Sequence, residues 1–324
     1  RVKQAEDASD SLGAASSAAM PAAAGASKDA LGSSFGSLAA ALDAAAEDEL
    51  LILALQKTLM PNAAVEELVV MLRRAIMAEV AQTASLRDEL QPLCLAIAEY
   101  ADRTGFALAA EDDEERLAAT INESIMAQFA VGELQEALIG SLMVSAMYGA
   151  LFHQNFAVQL GQWNLVDWPL AMQPMMAASY YNRAEEEAIK QNFDEKAEEL
   201  CLEKTDVPQA WPAWSQLAYR TETSLKAVMA QELGLNPDNL PATLRIMVCG
   251  AQSGQRAMEL AQYLDDVEVI AVDESLANIA KGTRMAQSLN MDNIVFWPWS
   301  IAQCFVADGH QVHWMEVGRV PSPA

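Results

Sequence analysis

Apolar and polar positions follow two different periods along this chain, and the change falls near residue 235. Before it, apolar residues recur at three- and four-residue spacing, the signature of amphipathic helices. "EDELLILALQKTLM" predicts a helix from Glu47 that stops at Pro61. Asn62 is a good N-cap for a second helix that places Val65, Leu68, Val69, Leu72 and Ile76 on one stripe. "SLRDELQPLCLAIAEYADRTG" predicts a third helix, kinked or split at Pro92 and ended at Gly105. The acidic run Glu111 to Glu115 opens a fourth, where the macrodipole favours negative charge. Further helices are expected in "ELQEALIGSLMVSAMYGALF" and "YNRAEEEAIKQNFDEKAEELCLE", joined by an irregular packed connection rich in Trp, Met and Pro. The acidic runs 111–115 and 185–187 are expected to be solvated helix faces.

After the turn formers "NPDNLPAT", short apolar runs alternate with amphipathic segments: "LRIMVC", "VEVIAV", "NIVFW" and "QVHWMEV" read as strands, with helices at "QRAMELAQYL" and "SLANIAKGTRMAQSLNM". That alternation predicts parallel β-α units. The expected fold class is α + α/β, a helical domain followed by an incomplete Rossmann-like parallel sheet. The expected boundaries are 1–45 for an Ala/Ser/Gly-rich tail without fixed structure, 46–205 for the helical domain, 206–243 for a connecting segment and 244–324 for the α/β domain.

Charge narrows the partners. With 20 Lys and Arg against 45 Asp and Glu, the formal charge is -25, which repels phosphate backbones and anionic lipid surfaces. No nucleic acid is expected as a partner, and the longest apolar stretches fall short of the roughly 20 residues that span a bilayer. Four scattered cysteines without a CxxC pair point to a reducing compartment, cytoplasmic or an organellar matrix. The start at Arg1 and the end soon after an apolar strand predict a fragment or a processed form.

The candidate chemistry lies in "RIMVCGAQSGQRAMELA", residues 245–261. In an open parallel sheet, ligands bind beyond the carboxyl ends of the strands, where the following helix directs free N–H groups outward. The turn Cys249 to Gly254 holds that place, and Gly250 and Gly254 admit unusual backbone angles there; Gln252 does not favour them. The next strand ends in "AVDES", so Asp273 emerges at the same edge, 23 residues after Gly250, placed to accept hydrogen bonds from ribose hydroxyls. The competing reading is a generic α/β domain with a strand that ends in aspartate. A P-loop lacks its Gly-Lys-Ser/Thr, and "GAQSG" puts Ser253 one place late for a hydrolase elbow. His310 and His313, three apart on a strand, point to opposite faces and predict no metal pair. Trp297 and Trp299 are candidates to stack on a purine or to serve as core.

Residues 245–301, through "VIAVDESLANIAKGTRMAQSLNMDNIVFWPWSI", resemble the class I S-adenosylmethionine-dependent methyltransferases, in particular the group with a helical or tetratricopeptide-associated N-terminal region. "AWPAW" at 210–214 is similar to that group's segment upstream of the catalytic domain. The resemblance implies S-adenosyl-L-methionine as cofactor, with Cys249, Gly250, Ala251, Ser253, Gly254, Asp273, Glu274, Trp299 and Ser300 as the cofactor-binding positions. It implies transfer of a methyl group to an unidentified acceptor, small molecule or protein, and it assigns no catalytic base and no metal. Two positions depart from the family: Gln252 stands where a middle glycine lets the main chain lie against the methionine part, and Ser300 where an aspartate contacts the adenine amino group. The family's sheet has seven strands, so a further segment or a protein partner is expected to cover the open sheet. The alternative implied function is a degenerate homologue kept as a scaffold or interaction subunit.

Overall fold

The computed structural model describes residues 38–83, 85–129, 136–199, 214, 217–218, 221–307 and 309–318. The expectations for residues 1–37, for Trp211 and Pro212, and for the last six residues lie outside that set. The chain divides into two compact units, Arg1–Met176 and Ala177–Ala324. The fold is α + α/β, a helical unit followed by a unit built on a four-stranded, all-parallel, Rossmann-like sheet.

In the first unit the helices are α1 (Leu38–Glu47), α2 (Glu49–Lys57), α3 (Ala63–Thr83), α4 (Gln91–Arg103), α5 (Asp112–Phe129) and α6 (Glu136–Ala146). The expectation of no fixed structure up to residue 45 fails for Leu38 to Ala45, which lie in α1. Ala41 and Leu42 find apolar burial and make α1 part of the core. Asp48 caps α2 by accepting the Leu51 N–H at 3.0 Å, and Asn62 accepts the Ala64 N–H at 2.9 Å at the start of α3. On the α3 stripe Val69, Leu72 and Ile76 are buried, while Val65 and Leu68 are half-buried. Pro92 falls in the first turn of α4, where its missing N–H has no partner to lose. Gly105, at φ +63°, ends the chain's path out of that helix as expected.

Between 151 and 176 the chain runs through short helical turns, Leu151–His153, Ala157–Leu160, Leu165–Asp167 and Gln173–Met176, anchored by buried Trp168, Met172, Met175 and Met176. The acidic run 111–115 is not wholly solvated. Glu114 is buried and accepts from Arg73 Nε at 3.0 Å, Arg73 Nη2 at 2.7 Å and Tyr148 Oη at 2.7 Å, and the guanidinium lies 4.4 Å from the Tyr148 ring centroid. Arg73 also donates to the Ala109 carbonyl at 2.7 Å. A buried ion pair persists when its remaining donors and acceptors are met in this way.

The second unit corrects the expected boundary at 205. Helix α7 (Asn182–Glu199) belongs to it: Phe193 packs against the sheet's apolar core, and Glu186 pairs with Arg284 at 2.8 Å, so this acidic run too is partly engaged. Helix α8 (Leu225–Leu233), within the expected connecting segment, sends Leu225 and Met229 into the same core. Then follow β1 (Leu244–Cys249), α9 (Gln255–Tyr263), β2 (Val267–Asp273), α10 (Leu276–Ser288), β3 (Ile294–Pro298), α11 (Trp299–Ala307) and β4 (Trp314–Val317). The strand order is β3-β2-β1-β4.

Alternation along the strands separates two faces. Leu244, Ile246, Val248, Val269, Ala271 and Phe296 join the larger core with α7, α8, α9 and α10. Met247, Cys249, Ile270 and Val272 face the other way, against Ala302 and Phe305 of α11. On that second side Val295 is 41% exposed, Met315 56% and Val317 57%, so α11 leaves both outer strands partly open. Among the described residues, no helix is long and apolar enough to cross a membrane.

Candidate functional site

Strand order places β1 and β4 side by side while the chain from β1 proceeds to β2 on the other flank. This is the switch point at which open α/β sheets form their ligand crevice. The turn after β1 sits at its carboxyl edge. Gly250, Gln252 and Gly254 have φ of +66°, +52° and +87°, so every second residue is left-handed. The Gly254 N–H closes the turn on the Ala251 carbonyl at 3.0 Å, and the Ala251 N–H donates to the Val272 carbonyl at 3.0 Å, tying the turn to the end of β2.

Gln252 thus adopts the backbone angle for which glycine is normally selected, and it does so with its side chain exposed. Its N–H donates to Asp273 Oδ2 at 2.7 Å. The other oxygen, Oδ1, accepts the Ser275 N–H at 2.9 Å and the Asn278 side-chain amide at 3.0 Å. Asp273 is buried, and its carboxylate joins two pieces of chain, the turn after β1 and the start of α10. Ser275 reinforces that helix start by accepting the Asn278 N–H at 3.3 Å.

The two glycines have separable reasons. A Cβ at Gly254 would lie 2.3 Å from the Phe296 ring, and one at Gly282 would lie 2.3 Å from the same ring. Phe296 therefore fills the space between α9 and α10 only because both residues lack side chains, the close helix–strand packing that the last glycine of such a turn allows. Gly250 serves the crevice itself. Gly318, just after β4, donates its N–H to the Cys249 carbonyl at 2.8 Å, and a Cβ there would come within 2.7 Å of the Gly250 carbonyl oxygen.

Of the sequence-predicted positions, Gly250, Ala251, Ser253, Gly254 and Asp273 come together around this turn. Ser253 is buried, and its carbonyl accepts the Trp214 indole N–H at 3.1 Å. Cys249 enters only through its main chain, because its side chain lies in the second apolar cluster, where burial pushes the thiol's pKa up. Glu274 is half-buried beside Asp273. Trp299 is 42% exposed and Ser300 half-buried, both at the start of α11 beyond β3. Trp297 is a core residue, its ring 5.0 Å from that of Phe305.

No protein-family model matches the chain, and no curated protein matches it.

One residue at this edge, Arg256, went unread in the sequence. Arg256, in the first turn of α9, holds Glu316 of β4 through Nε at 2.7 Å and Nη2 at 3.1 Å, a two-pronged pair that bridges the flanks of the crevice. That hydrogen bond to Glu316 raises the guanidinium's pKa further above its ordinary value. Trp214, within the "AWPAW" segment, clamps the turn from the segment before α8. A signal for it existed in the isolated "AWPAW" run, whose aromatic content is unexplained by periodicity. The strand expected to carry His310 and His313 begins only at Trp314, so both lie in the loop ahead of it: His313 Nδ1 accepts the Arg245 N–H at 2.8 Å, and His310 stacks on Phe305 with centroids 4.3 Å apart.

Proposed function

We propose that the second unit binds S-adenosylmethionine in the crevice at the carboxyl ends of β1 and β2, and that the protein is a methyltransferase acting on an acceptor yet to be identified. The observation that carries this reading is the left-handed turn Gly250–Gly254 hydrogen-bonded to the Asp273 carboxylate at the switch point of a parallel sheet. It agrees with the resemblance of residues 245–301 to class I methyltransferases.

The residues fit such a cofactor. A carboxylate offers about four lone-pair sites, and Asp273 has three of them occupied by Gln252, Ser275 and Asn278 donors. One ribose hydroxyl is accepted as the site stands; a second requires the Gln252 N–H to turn away. The exposed Gln252 side chain leaves the turn's main chain as the surface against which the cofactor lies. Bound S-adenosylmethionine supplies a methyl group already activated on a sulfonium, so the protein's task is to hold and align it. In that task Gly250 and Gly318 bring main chain close on both sides of the crevice, Arg256 and Glu316 fix its walls, and Trp299 borders the adenine side.

A second reading has its own observation. Because Asp273 already braces the start of α10, and because Met315 and Val317 stay exposed on the edge strand, the chain also suits a degenerate homologue that serves as an interaction subunit. Calorimetric titration of the folded chain with S-adenosylmethionine and with S-adenosylhomocysteine separates the two. Heat of binding that is lost in Asp273→Asn supports the methyltransferase reading; absence of heat at millimolar ligand overturns it in favour of the interaction subunit.

A further inference from the structure

The helical unit carries a cavity of its own, of about 840 Å³. Its floor is one face of α3, with Ala64, Leu68, Met71 and Ala75 at helical spacing, and its walls include Leu38 of α1 and Leu117 of α5. The lining extends along α3 from Ala63 to Ala78, which at 1.5 Å per residue is about 22 Å. At that length the space suits a helix laid along it better than a compact small molecule. It fits one row of side chains from a helix lying along its mouth, and the alanines let that helix come close.

The rim selects the charge of the visitor. Glu66 and Glu67 on α3 and Glu111 and Asp113 at the start of α5 line the mouth, all exposed, and Arg74 is the one cation among the lining residues. Arg74 is held by Glu111 at 2.8 Å and approaches Asp113 at 3.8 Å. With Glu114 neutralised by Arg73, four carboxylates and one guanidinium leave three negative charges around an apolar trough. Leu38, 49% exposed, stands at its lip.

We infer that this groove is a docking site for an amphipathic helix of a partner protein, about four turns long, whose apolar face enters the trough and whose flanks carry Lys and Arg. The charge complementarity also speeds encounter, and it makes binding sensitive to ionic strength.

The test uses a yeast-displayed library of 16-residue peptides with apolar residues at three- and four-residue spacing and Lys, Arg, Glu, Gln or Ser elsewhere, sorted on the full chain. Enriched peptides are expected to be basic on their flanks, to bind Ala75→Trp at least tenfold more weakly, and to weaken severalfold between about 50 and about 300 mM salt, over which the Debye length falls from about 14 to about 6 Å. The exposed double variant Glu66→Lys, Glu67→Lys cannot be dismissed as misfolded and is expected to lose the preference for basic flanks. Failure to enrich any peptide sensitive to Ala75→Trp, or enrichment of neutral or acidic flanks, overturns the proposal. So does slow alkylation of Met71→Cys by iodoacetamide in the free folded chain, read by mass spectrometry, because the groove is then already filled by another segment of the same chain.

Discussion

Strand β2 has an aspartate at each end, and the two do different work with similar hydrogen bonding. Asp266, just before the strand, accepts the Ser224 hydroxyl at 2.7 Å and the Leu225 and Lys226 N–H groups at 2.8 and 3.1 Å, all from one helix start. It is a side-chain cap for α8, supplied from a distant position. Asp273, at the other end, draws its three donors from two separate pieces of chain, the turn after β1 and the start of α10. The difference lies in how many separate pieces of chain each carboxylate holds together. At the amino end, a carboxylate that caps one helix has nothing left to rearrange. At the carboxyl end, the Gln252 N–H is one bond of a two-residue reach, and a ligand hydroxyl can replace it.

The comparison breaks most severely at Gly254. An alanine there meets Phe296 at 2.3 Å from its Cβ and must keep a left-handed backbone. Overpacking of about 1–3 kcal/mol and left-handed strain of about 1–2 kcal/mol together predict a loss of roughly 3 kcal/mol or more. Chemical denaturation should show it, and a variant with Phe296→Leu added should recover part of the loss. No recovery would mean that the ring contact is not what the glycine provides.

Next come the two aspartates themselves. Asp266→Asn and Asp273→Asn each leave N–H donors facing an amide in place of a carboxylate, at a cost of about 2 kcal/mol, because hydrogen bonds to a charged group are worth about 1.5–3 kcal/mol. Stability alone therefore does not tell them apart. Ligand heat does: Asp273→Asn should abolish binding of S-adenosylmethionine, and Asp266→Asn should leave it intact once the fold is confirmed. Equal loss in both would erase the functional distinction between the two ends.

Acid sharpens the contrast further. Burial pushes the Asp266 carboxyl up, but the bonds from Ser224, Leu225 and Lys226 outweigh it and hold its pKa below the ordinary 3.8. A depressed carboxyl stabilises the fold fully above its unfolded value and loses that contribution as pH falls through the folded value. Acid unfolding below pH 3.8 should then be less steep in Asp266→Asn than in the wild-type chain. Identical acid limbs would show that the α8 cap contributes nothing in this range.

What the sequence reveals follows the same division between local and distant causes. Strand β1 was legible to the residue, because a strand buried on both faces is a nearly continuous apolar run, here interrupted only by Arg245. Asn62 and Gly105 announced the start of α3 and the end of α4, since caps depend on neighbours in the chain. Glu114 was misread as solvated because Arg73 lies 41 positions away, and helical periodicity carries no information about such pairs. The helix α7 was legible but its unit was not, since its place depends on packing along α10, with Phe193 on the sheet's core and the Glu186–Arg284 pair, all distant in sequence. At the site, the glycines and Asp273 could be read from spacing. The hydrogen bond from Gln252 to Asp273 could not, because a glutamine in the left-handed region contradicts its own preference.

Gln252→Gly is the smallest change and the one aimed most directly at the difference between the two ends of β2. Relief of left-handed strain is worth about 1–2 kcal/mol, offset by the greater freedom glycine gives the unfolded chain, about 0.5–1 kcal/mol. The net expectation is a gain of about 0.5 kcal/mol, or a rise of roughly 1–2 °C in Tm. The N–H to Asp273 survives the substitution because it belongs to the main chain. What changes is the ease with which the turn can swing that N–H aside, so S-adenosylmethionine should bind more tightly in Gln252→Gly while α8 and its Asp266 cap stay as they are. A stabilised turn with unchanged affinity would instead make the glutamine's backbone angle a matter of folding alone, and the carboxyl end of β2 would then differ from the amino end only in where its donors come from.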